Sequence, residues 1–443
     1  AMESMGLNVF NAASALFDPK SETDADYERR RTVVAHEFFH YQSGNLVTLR
    51  NWFQLTLKEG LTTFREQEFT ADMGSPVVKR IHDVRSLKTY QFSEDAGPLA
   101  KPIRFREAQE IDNFYTMTAY EKGAEVFRMV QTLLGKEKFK EAMKLYFTRY
   151  KGQAVTIEEF VQTMEEVSGL DLKQFKDTWV EQKGTPTCKV DGRYDEAAHT
   201  YELTVEQVLT GADDTPYHLP LVMGLIGEDG KEIPLELEGE ACEHDMSRGL
   251  LHVREGKQTF RFKNVTSKPV PSLFRHFSAP VKVEYEYSDA DVRLLMQHDT
   301  DGYNRYEACQ RIALKEIVRL VDAHKNGEPM TVDSEILEAY RPALTEASRD
   351  PAFTAELLNL PSVDEIVRTM DVYDFQAAHA ARLSLLKAIG TTYSSELRAI
   401  YDEYSTPRKY SVSPEATGQR SLKNRCLEYL VKSDEGIIDL AQK

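Results

Sequence analysis

The pattern of apolar and polar positions changes twice along the chain and predicts three regions. From about residue 23 to 183, apolar residues recur at helical spacing, and Thr156 with Glu159 forms a capping box ahead of FVQTMEEV. Residues 186–286 alternate instead, as in YELTVEQV, and Asp229-Gly230 and Glu255-Gly256 are candidate hairpin turns. After residue 288 helical patterns return, which paired-helix repeats would explain although no fixed period is present.

These patterns predict a multidomain α/β protein. We expect an α-rich domain over residues 1–184, an antiparallel β-sandwich over 185–287 and the start of an all-α helical array over 288–443. A length of 443 residues suits such a division, since single cores stop growing well below this size. Both ends look interrupted: there is no signal peptide, and no compact element closes the chain. We therefore expect a central piece of a longer polypeptide.

Composition and charge narrow the classes of function. Hydrophobic residues make up 41% and charged residues 29% of the chain, and no run approaches the roughly 18 apolar residues of a membrane span. The formal net charge of −17 repels nucleic acid and anionic lipid, so we expect neither a nucleic-acid nor a membrane partner. The four cysteines, Cys188, Cys242, Cys309 and Cys426, form no C-x-x-C pair, which favours reduced thiols and a cytoplasmic location.

A helix predicted from Asp24 to Ser43 carries unusual polar residues on one face. Val33, His36, Glu37 and His40 are spaced i, i+3, i+4 and i+7, so they share that face. Burying imidazoles without partners is costly, and a zinc ion can satisfy His36 and His40 together. Glu37 then lies beside the metal, where it can take a proton from bound water. The alternative is a chance H-E-x-x-H match in an ordinary helix.

A catalytic zinc site needs one more protein ligand. The pattern with a third histidine is excluded, because Ser43 and Leu46 occupy the required glycine and histidine positions. A carboxylate remains, and a second helix offers Glu59, Glu66 and Glu68. Glu59 lies among leucines and is the acid hardest to leave hydrated, whereas the other two lie in a more charged segment. We expect Glu59 to be the ligand; the alternative is a surface glutamate beside Lys58.

At this point the sequence resembles a known family. HEFFH, eighteen intervening residues and then Glu59 within LKEG resemble the zinc signature of the gluzincin aminopeptidases of the aminopeptidase N (PepN) type. AMES at residues 1–4 resembles the end of the family's G-A-M-E-N exopeptidase motif, and NFYTMTAYEKGAEVFRMV resembles the segment that carries its catalytic tyrosine. The resemblance covers essentially the whole chain and implies a thermolysin-like catalytic domain.

The resemblance also implies roles for individual residues. His36, His40 and Glu59 would hold one Zn²⁺ per chain, with Glu37 as general base and Tyr120 as donor to the oxyanion. Glu3 would bind the substrate's free amino group, and Tyr115 would shape the pocket for the substrate's first side chain. From the residues alone, the tyrosines read as packing side chains and Glu3 as a solvated acid. Ser4 replaces the motif's asparagine, which puts substrate alignment in doubt.

The predicted function is a zinc aminopeptidase that releases N-terminal residues from short peptides. Its partners would be peptides with a free N-terminus and the remaining domains of the same polypeptide. Two alternatives stay open: a related zinc hydrolase with another substrate, such as an epoxide hydrolase, and a non-catalytic interaction module. Glu37 counts against the second alternative, because a structural zinc site needs no base.

Overall fold

The computed structural model describes residues 1–18, 20–209, 211, 214–239 and 244–438. Cys242, one of the four cysteines expected to be reduced, lies outside the described residues, while Cys188, Cys309 and Cys426 are free and buried. The chain divides into two compact units, residues 1–228 with 232–286 and residues 287–443 with 229–231. The predicted succession of an α-rich region, a β-rich region and a helical array is confirmed.

The first region of unit one is built from helices joined by short 3₁₀ and π turns. Its helices are α1 (Ala12–Ala15), α2 (Asp24–Phe39), α3 (Glu59–Asp72), α4 (Pro76–Ser86), α5 (Phe92–Ala96), α6 (Gly123–Leu134), α7 (Lys136–Arg149), α8 (Ile157–Ser168) and α9 (Lys173–Trp179). Trp52–Leu57 and Ile111–Phe114 are 3₁₀ turns, and Leu87–Gln91 and Thr118–Lys122 are π turns. A two-stranded ladder joins β1 (Thr48–Leu49) to β2 (Ala154–Val155) in parallel.

Local capping explains where several of these helices begin. The predicted capping box of Thr156 and Glu159 opens α8, and an equivalent box of Thr23 and Asp26 opens α2. The start of α2 at Asp24 agrees with the prediction, but its predicted end at Ser43 is wrong. The helix ends at Phe39, because the chain then turns: the backbone N–H of Asn45 donates to the carbonyl of His40, and Gly44 adopts φ 125°.

Helices α3 and α6 approach each other unusually closely at their N-termini. A Cβ atom on Gly123 would lie 2.2 Å from Thr56 Oγ1 and 3.2 Å from Gly60 Cα, so only a residue without a side chain fits. The Thr56 hydroxyl donates to the carbonyl of Ala119 at 3.1 Å and ties the two segments together. This contact sets the distance between the start of α3 and the π turn that precedes α6.

The second region of unit one is a β-rich domain. Its strands are β3 (Thr187–Asp195), β4 (Thr200–Val208), β5 (Leu219–Val222), β6 (Gly224–Ile226), β7 (Glu232–Ile233), β8 (Leu250–Val253), β9 (Lys257–Phe262), β10 (Val270–Ser272) and β11 (Lys282–Glu284). They form sheets of order β11-β3-β4-β9, β10-β6-β7 and β5-β8. Most pairs are antiparallel, as expected for the predicted sandwich, and β11 pairs with β3 in parallel at one edge of the first sheet.

The two predicted hairpin turns have different outcomes. Asp229-Gly230 joins the antiparallel pair β6 and β7, as predicted. Glu255-Gly256 is not a hairpin turn, since β8 pairs with β5 while β9 pairs with β4. The turn therefore carries the chain from one sheet to another, which a two-residue signal cannot distinguish from a hairpin.

One hydrophobic core runs through both regions of unit one. It includes Leu61 and Phe64 of α3, Phe127 of α6 and Leu203 of β4. Trp179, at the end of α9, is fully buried, and its Nε1–H donates to the carbonyl of His218 at 3.0 Å. The β-rich region and the α-rich region are thus packed as one body.

Unit two is helical over the described residues. It contains α10 (Asp289–His298), α11 (Gly302–Lys325), α12 (Ser334–Ala339), α13 (Arg341–Thr345), α14 (Pro351–Leu357), α15 (Val363–Val367), α16 (Phe375–Thr392), α17 (Ser394–Ser405) and α18 (Pro414–Ser433). Helix α11 packs against α10 and α16, and α18 packs against α14, α16 and α17. In neither unit is a described helix both long and apolar enough to cross a membrane.

Candidate metal centre and active site

Three potential metal ligands converge where α2 meets α3. His36 Nε2 lies 3.0 Å from His40 Nε2, and Glu59 Oε2 lies 3.3 Å from each of these nitrogens. The i, i+4 spacing in the last turn of α2 and its C-cap brings the imidazoles together, and Glu59 is the first residue of α3. Ligand atoms bound at about 2.1 Å to a tetrahedral zinc lie about 3.4 Å apart, so the three atoms fit one zinc ion.

Neighbouring polar groups orient the imidazoles. The Nδ1 atom of His40 lies 2.9 Å from the carbonyl oxygen of Ser43, which can only accept, so Nδ1 carries the proton and Nε2 keeps its lone pair. Glu66 Oε2 lies 3.9 Å from Nδ1 of His36, which is beyond hydrogen-bond distance but close enough for an electrostatic contact. Such outer contacts are usual around histidine ligands, where they set the tautomer and the ring orientation.

Glu59 is buried and charged. Burial alone would raise the pKa of its carboxyl, but the contacts with His36 and His40 and the charge of Lys58 together outweigh burial and hold the pKa below its ordinary value. A carboxylate that stays ionised at the bottom of a cavity is ready to bind a cation. Two imidazoles and one carboxylate form a typical set of protein ligands for a catalytic zinc, with one position left for water or substrate.

Glu37 lies next to this triad without being one of its three members. Its side chain is 5% exposed, and Oε2 has no hydrogen-bond partner among the described residues. Burial raises the pKa of its carboxyl above the ordinary range. Single ligand atoms of Glu3, Glu37 and His40 all lie within 4.8 Å of one another. A buried acceptor without a partner, close to a metal triad, has the geometry of a group that accepts a proton from water.

The two predicted tyrosines line the same cavity as the triad. Tyr120 is in the π turn before α6, and its ring stacks on that of His36 with centroids 6.3 Å apart. Burial, followed by the negative charge of Glu59, raises the pKa of Tyr120 above its ordinary value, so its hydroxyl remains a donor. The Tyr115 ring lies 6.4 Å from that of Tyr120 and is partly exposed at the cavity mouth.

A single cavity of about 530 Å³ joins all seven predicted site residues. It is lined by Glu3, His36, Glu37, His40, Glu59, Tyr115 and Tyr120, together with Ala1, Met2, Val33, Lys58 and Glu66. Glu3 is held from behind, since Asn45 Nδ2 donates to its carbonyl at 2.7 Å. Ser4, which replaces the asparagine of the family motif, is exposed and does not line the cavity.

Two residues of the cavity were missed from the sequence. Lys58 forms an ion pair with Glu3, and its Nζ lies 3.3 Å from Glu59 Oε1. No local pattern signals this contact, because Glu3 lies 55 residues away in sequence. Glu66, expected to stay hydrated, instead faces His36 with its side chain 12% exposed. The sequence could have indicated this position of Glu66, because Glu59 and Glu66 are spaced i and i+7 and therefore share one helix face.

Comparison with known proteins adds an independent result. Residues 1–179 match the model of the peptidase family M1 domain. Residues 184–286 and 289–443 match two domains described as of unknown function, the first with an Ig-like fold and the second with ARM repeats. The chain is 42% identical to aminopeptidase N of Escherichia coli (strain K12), over 99% of this chain and 50% of that protein.

Residues 1–179 are a peptidase family M1 domain. Another relative of the chain is aminopeptidase N of Haemophilus influenzae, 38% identical over 98% of the chain and 50% of the relative. A crystal structure of Legionella pneumophila aminopeptidase A in complex with aspartic acid matches with a TM-score of 0.82 and 31% identity, over 100% of this chain and 48% of that one. The chain thus spans about half the length of these relatives. The predicted resemblance to aminopeptidases of the aminopeptidase N type and the predicted fold class are both confirmed.

Proposed function

We propose that this protein is a zinc aminopeptidase that hydrolyses the first peptide bond of short peptides with a free N-terminus. In this proposal His36, His40 and Glu59 hold one Zn²⁺ per chain. The observation that carries it is the convergence of these three side chains, whose ligand atoms lie 3.0 to 3.3 Å apart, inside a cavity large enough for a peptide terminus. The names of the curated relatives, aminopeptidase N in two bacteria, support the same activity.

The acid–base chemistry falls to Glu37. When bound, zinc would polarise the scissile carbonyl and make water a stronger acid. Glu37 accepts the proton of the attacking water at its free Oε2 and returns it to the nitrogen of the departing amine. Because burial raises the pKa of Glu37, its carboxyl is a better proton acceptor than an exposed glutamate would be.

Tyr120 stabilises the charge that develops on the carbonyl oxygen during attack. Its phenol stays neutral, since its pKa is raised, and it donates one hydrogen bond without carrying charge itself. The close contact of α3 with α6 keeps its π turn beside the ligand helices. Catalysis thus depends on a donor and a base that lie on different helices.

Recognition of the free amino group falls to Glu3. Its carboxylate lines the cavity within reach of the triad and would pair with the substrate's ammonium, so that only the first peptide bond meets the catalytic groups. Lys58 pairs with Glu3 in the free protein and keeps that carboxylate ionised, because the lysine lowers its pKa against the opposing effect of burial. Tyr115, partly exposed at the mouth, would contact the first side chain.

The proposal extends to the organisation of the chain. We propose a catalytic domain over residues 1–184, a β-sandwich over 185–287 and the beginning of a helical domain over 288–443, acting together with further domains of the same polypeptide. The spans of the three family matches support these bounds. The free, buried thiols support the expectation of a reducing compartment such as the cytoplasm.

The activity is tested with aminoacyl-4-nitroanilides on the zinc-loaded, full-length protein. We expect hydrolysis of the free amines and none of their N-acetylated forms, since Glu3 needs an ammonium partner. Glu37→Gln should keep close to one zinc per chain by metal analysis while kcat falls by roughly 10²- to 10⁴-fold. The exposed Glu141→Gln is the matched control and should leave kcat unchanged.

Three results would contradict the proposal. Equal hydrolysis of acetylated and free substrates would show that the protein is not an aminopeptidase and would indicate a zinc hydrolase of another kind. Wild-type turnover in Glu37→Gln would remove the assigned base. Zinc binding without any hydrolysis would identify a non-catalytic module.

A further inference from the structure

A second cavity lies outside the active site and shares no lining residue with it. It has a volume of about 820 Å³ and is lined by Gln42, Leu46, Arg65, Phe139, Lys140, Met143, Lys144, Phe147, Thr148 and Lys151. We call it the Arg65 groove. Its walls come from the turn after α2, from α3 and from α7, so two of its three sides belong to the segments that carry the metal triad.

The floor of the groove is apolar. Phe139, Met143 and Phe147 recur every four residues along α7 and form a stripe, with Leu46 beside it. Phe139 and Met143 are buried, whereas Phe147 is partly exposed. Such a stripe offers a surface for a flat or aliphatic group.

Arg65 lies in the groove, and no acidic residue described in the structure pairs with it. Its guanidinium stacks on Phe39 at 4.4 Å and on Phe147 at 5.4 Å, and Nη2 donates to Gln42 Oε1 at 2.8 Å. The other terminal nitrogen, Nη1, is buried and has no hydrogen-bond partner among the described residues. Burial lowers the pKa of Arg65 to about 10, and no neighbouring carboxylate counteracts it. A buried guanidinium without a counter-charge is stabilised when an anion binds to it.

Three lysines continue the positive charge around Arg65. Lys140, Lys144 and Lys151 are exposed, and within the described part of the chain none of them forms an ion pair. Four cations without counter-charges therefore share one groove in a chain whose net charge is −17. The local field thus opposes that of the whole molecule and favours an anionic ligand.

We propose that the Arg65 groove binds an organic anion in which a carboxylate is attached to an apolar or aromatic group. The carboxylate pairs with the guanidinium of Arg65 and is flanked by Lys140 and Lys144, while the apolar group lies on Phe139, Met143 and Phe147. A guanidinium matches this chemistry because its planar fork fits a carboxylate. The site is separate from the proposed aminopeptidase centre and does not depend on its chemistry.

Two sources can supply this chemistry: a small free carboxylate, or the C-terminal carboxylate of a peptide with an apolar last residue. They are distinguished by competition. 3-Phenylpropionate represents the first source, and an N-acetylated tripeptide ending in phenylalanine represents the second. The same peptide with an amidated C-terminus lacks the carboxylate and serves as its control.

The binding test uses dansylglycine, a fluorescent aromatic carboxylate, with dansylamide as the uncharged control, on the zinc-loaded, full-length protein. We expect saturable binding of dansylglycine and none of dansylamide. Arg65→Met keeps the length and the packing of the side chain and should raise Kd roughly tenfold or more. Lys144→Gln should raise Kd roughly two- to fivefold, whereas Lys138→Gln, on the same helix but outside the groove, should not change it.

The outcomes decide the proposal in either direction. Displacement of dansylglycine by one competitor but not the other identifies the source of the carboxylate and supports the site. If dansylglycine does not bind, or binds Arg65→Met as tightly as wild type, the proposal is wrong. Should Arg65→Met fail to fold, equal affinities of Lys144→Gln and Lys138→Gln would overturn the proposal, and a selective loss in Lys144→Gln would sustain it.

Discussion

The contact between α3 and α6 offers a sharp test of how packing controls catalysis. Gly123 lies at φ −56° and ψ −47°, which alanine adopts without strain, so Gly123→Ala adds a methyl group and little else. That carbon would lie 2.2 Å from Thr56 Oγ1, whereas ordinary contact begins at 3.4 Å. Relief therefore requires the start of α3, with Glu59, and the π turn, with Tyr120, to separate by about 1 Å.

The expected effects on stability and on rate differ. Overpacking costs about 1–3 kcal/mol, but alanine is about 1 kcal/mol better than glycine in a helix, so the net loss of unfolding free energy is about 2 kcal/mol or less. A displacement of about 1 Å between catalytic groups can lower the rate about 100-fold, equivalent to about 2.7 kcal/mol of transition-state stabilisation. Gly123→Ala should thus lose far more activity than its folding would explain.

A second substitution tests whether the clash is the cause. Thr56→Ala removes Oγ1 and its hydrogen bond to Ala119, at a cost of about 1 kcal/mol, and should lower kcat/KM only slightly. In Gly123→Ala/Thr56→Ala the space reopens, so most of the lost kcat/KM should return. Gly97→Ala is the control, since its Cβ would meet nothing closer than 3.4 Å. The reasoning fails if the double variant is no more active than Gly123→Ala, with urea unfolding measured on all four variants.

Three further predictions concern single groups. Tyr120→Phe should keep zinc bound while kcat falls roughly 10²- to 10³-fold, measured by nitroanilide hydrolysis and metal analysis, because the oxyanion loses its donor. Lys122→Met should lower the free energy of unfolding in urea by about 3–5 kcal/mol, because the buried Asp95 loses the ammonium that lies 2.8 Å from its Oδ2. The double variant Lys122→Met/Asp95→Asn should lose less than the sum of the two single variants. Burial holds the pKa of His252 at about 4, below the 6.5 of an unfolded histidine, so the unfolded chain binds more protons between those values and stability is lost as pH falls through them. Moving from pH 7 to pH 5 should remove about 2 kcal/mol, and a pH-independent unfolding free energy would contradict this, as would an unchanged pH dependence in His252→Gln.

The sequence predicted which side chains meet at the proposed metal site, with local periodicity placing His36 and His40 on one face and the family resemblance favouring Glu59. Two histidines one helical turn apart must share a face in any α-helix, and a glutamate among leucines is expected on the buried face of its helix. The same reasoning could have found Glu66, which repeats the position of Glu59 two turns later. The order of helical and strand regions was equally readable, because apolar spacing of 3.6 and 2.0 residues reports the local structure directly.

What depended on tertiary structure was every contact between distant segments. The pairing of Lys58 with Glu3, the close approach of Gly60 and Gly123, and the parallel pairing of β11 with β3 join positions tens to about one hundred residues apart. Arg65 shows the same limit: in sequence it is one arginine among charged neighbours, and only packing leaves its guanidinium buried with no carboxylate partner among the described residues. Periodicity states which face of a helix turns inward, whereas the groups that face it are decided by how the helices pack.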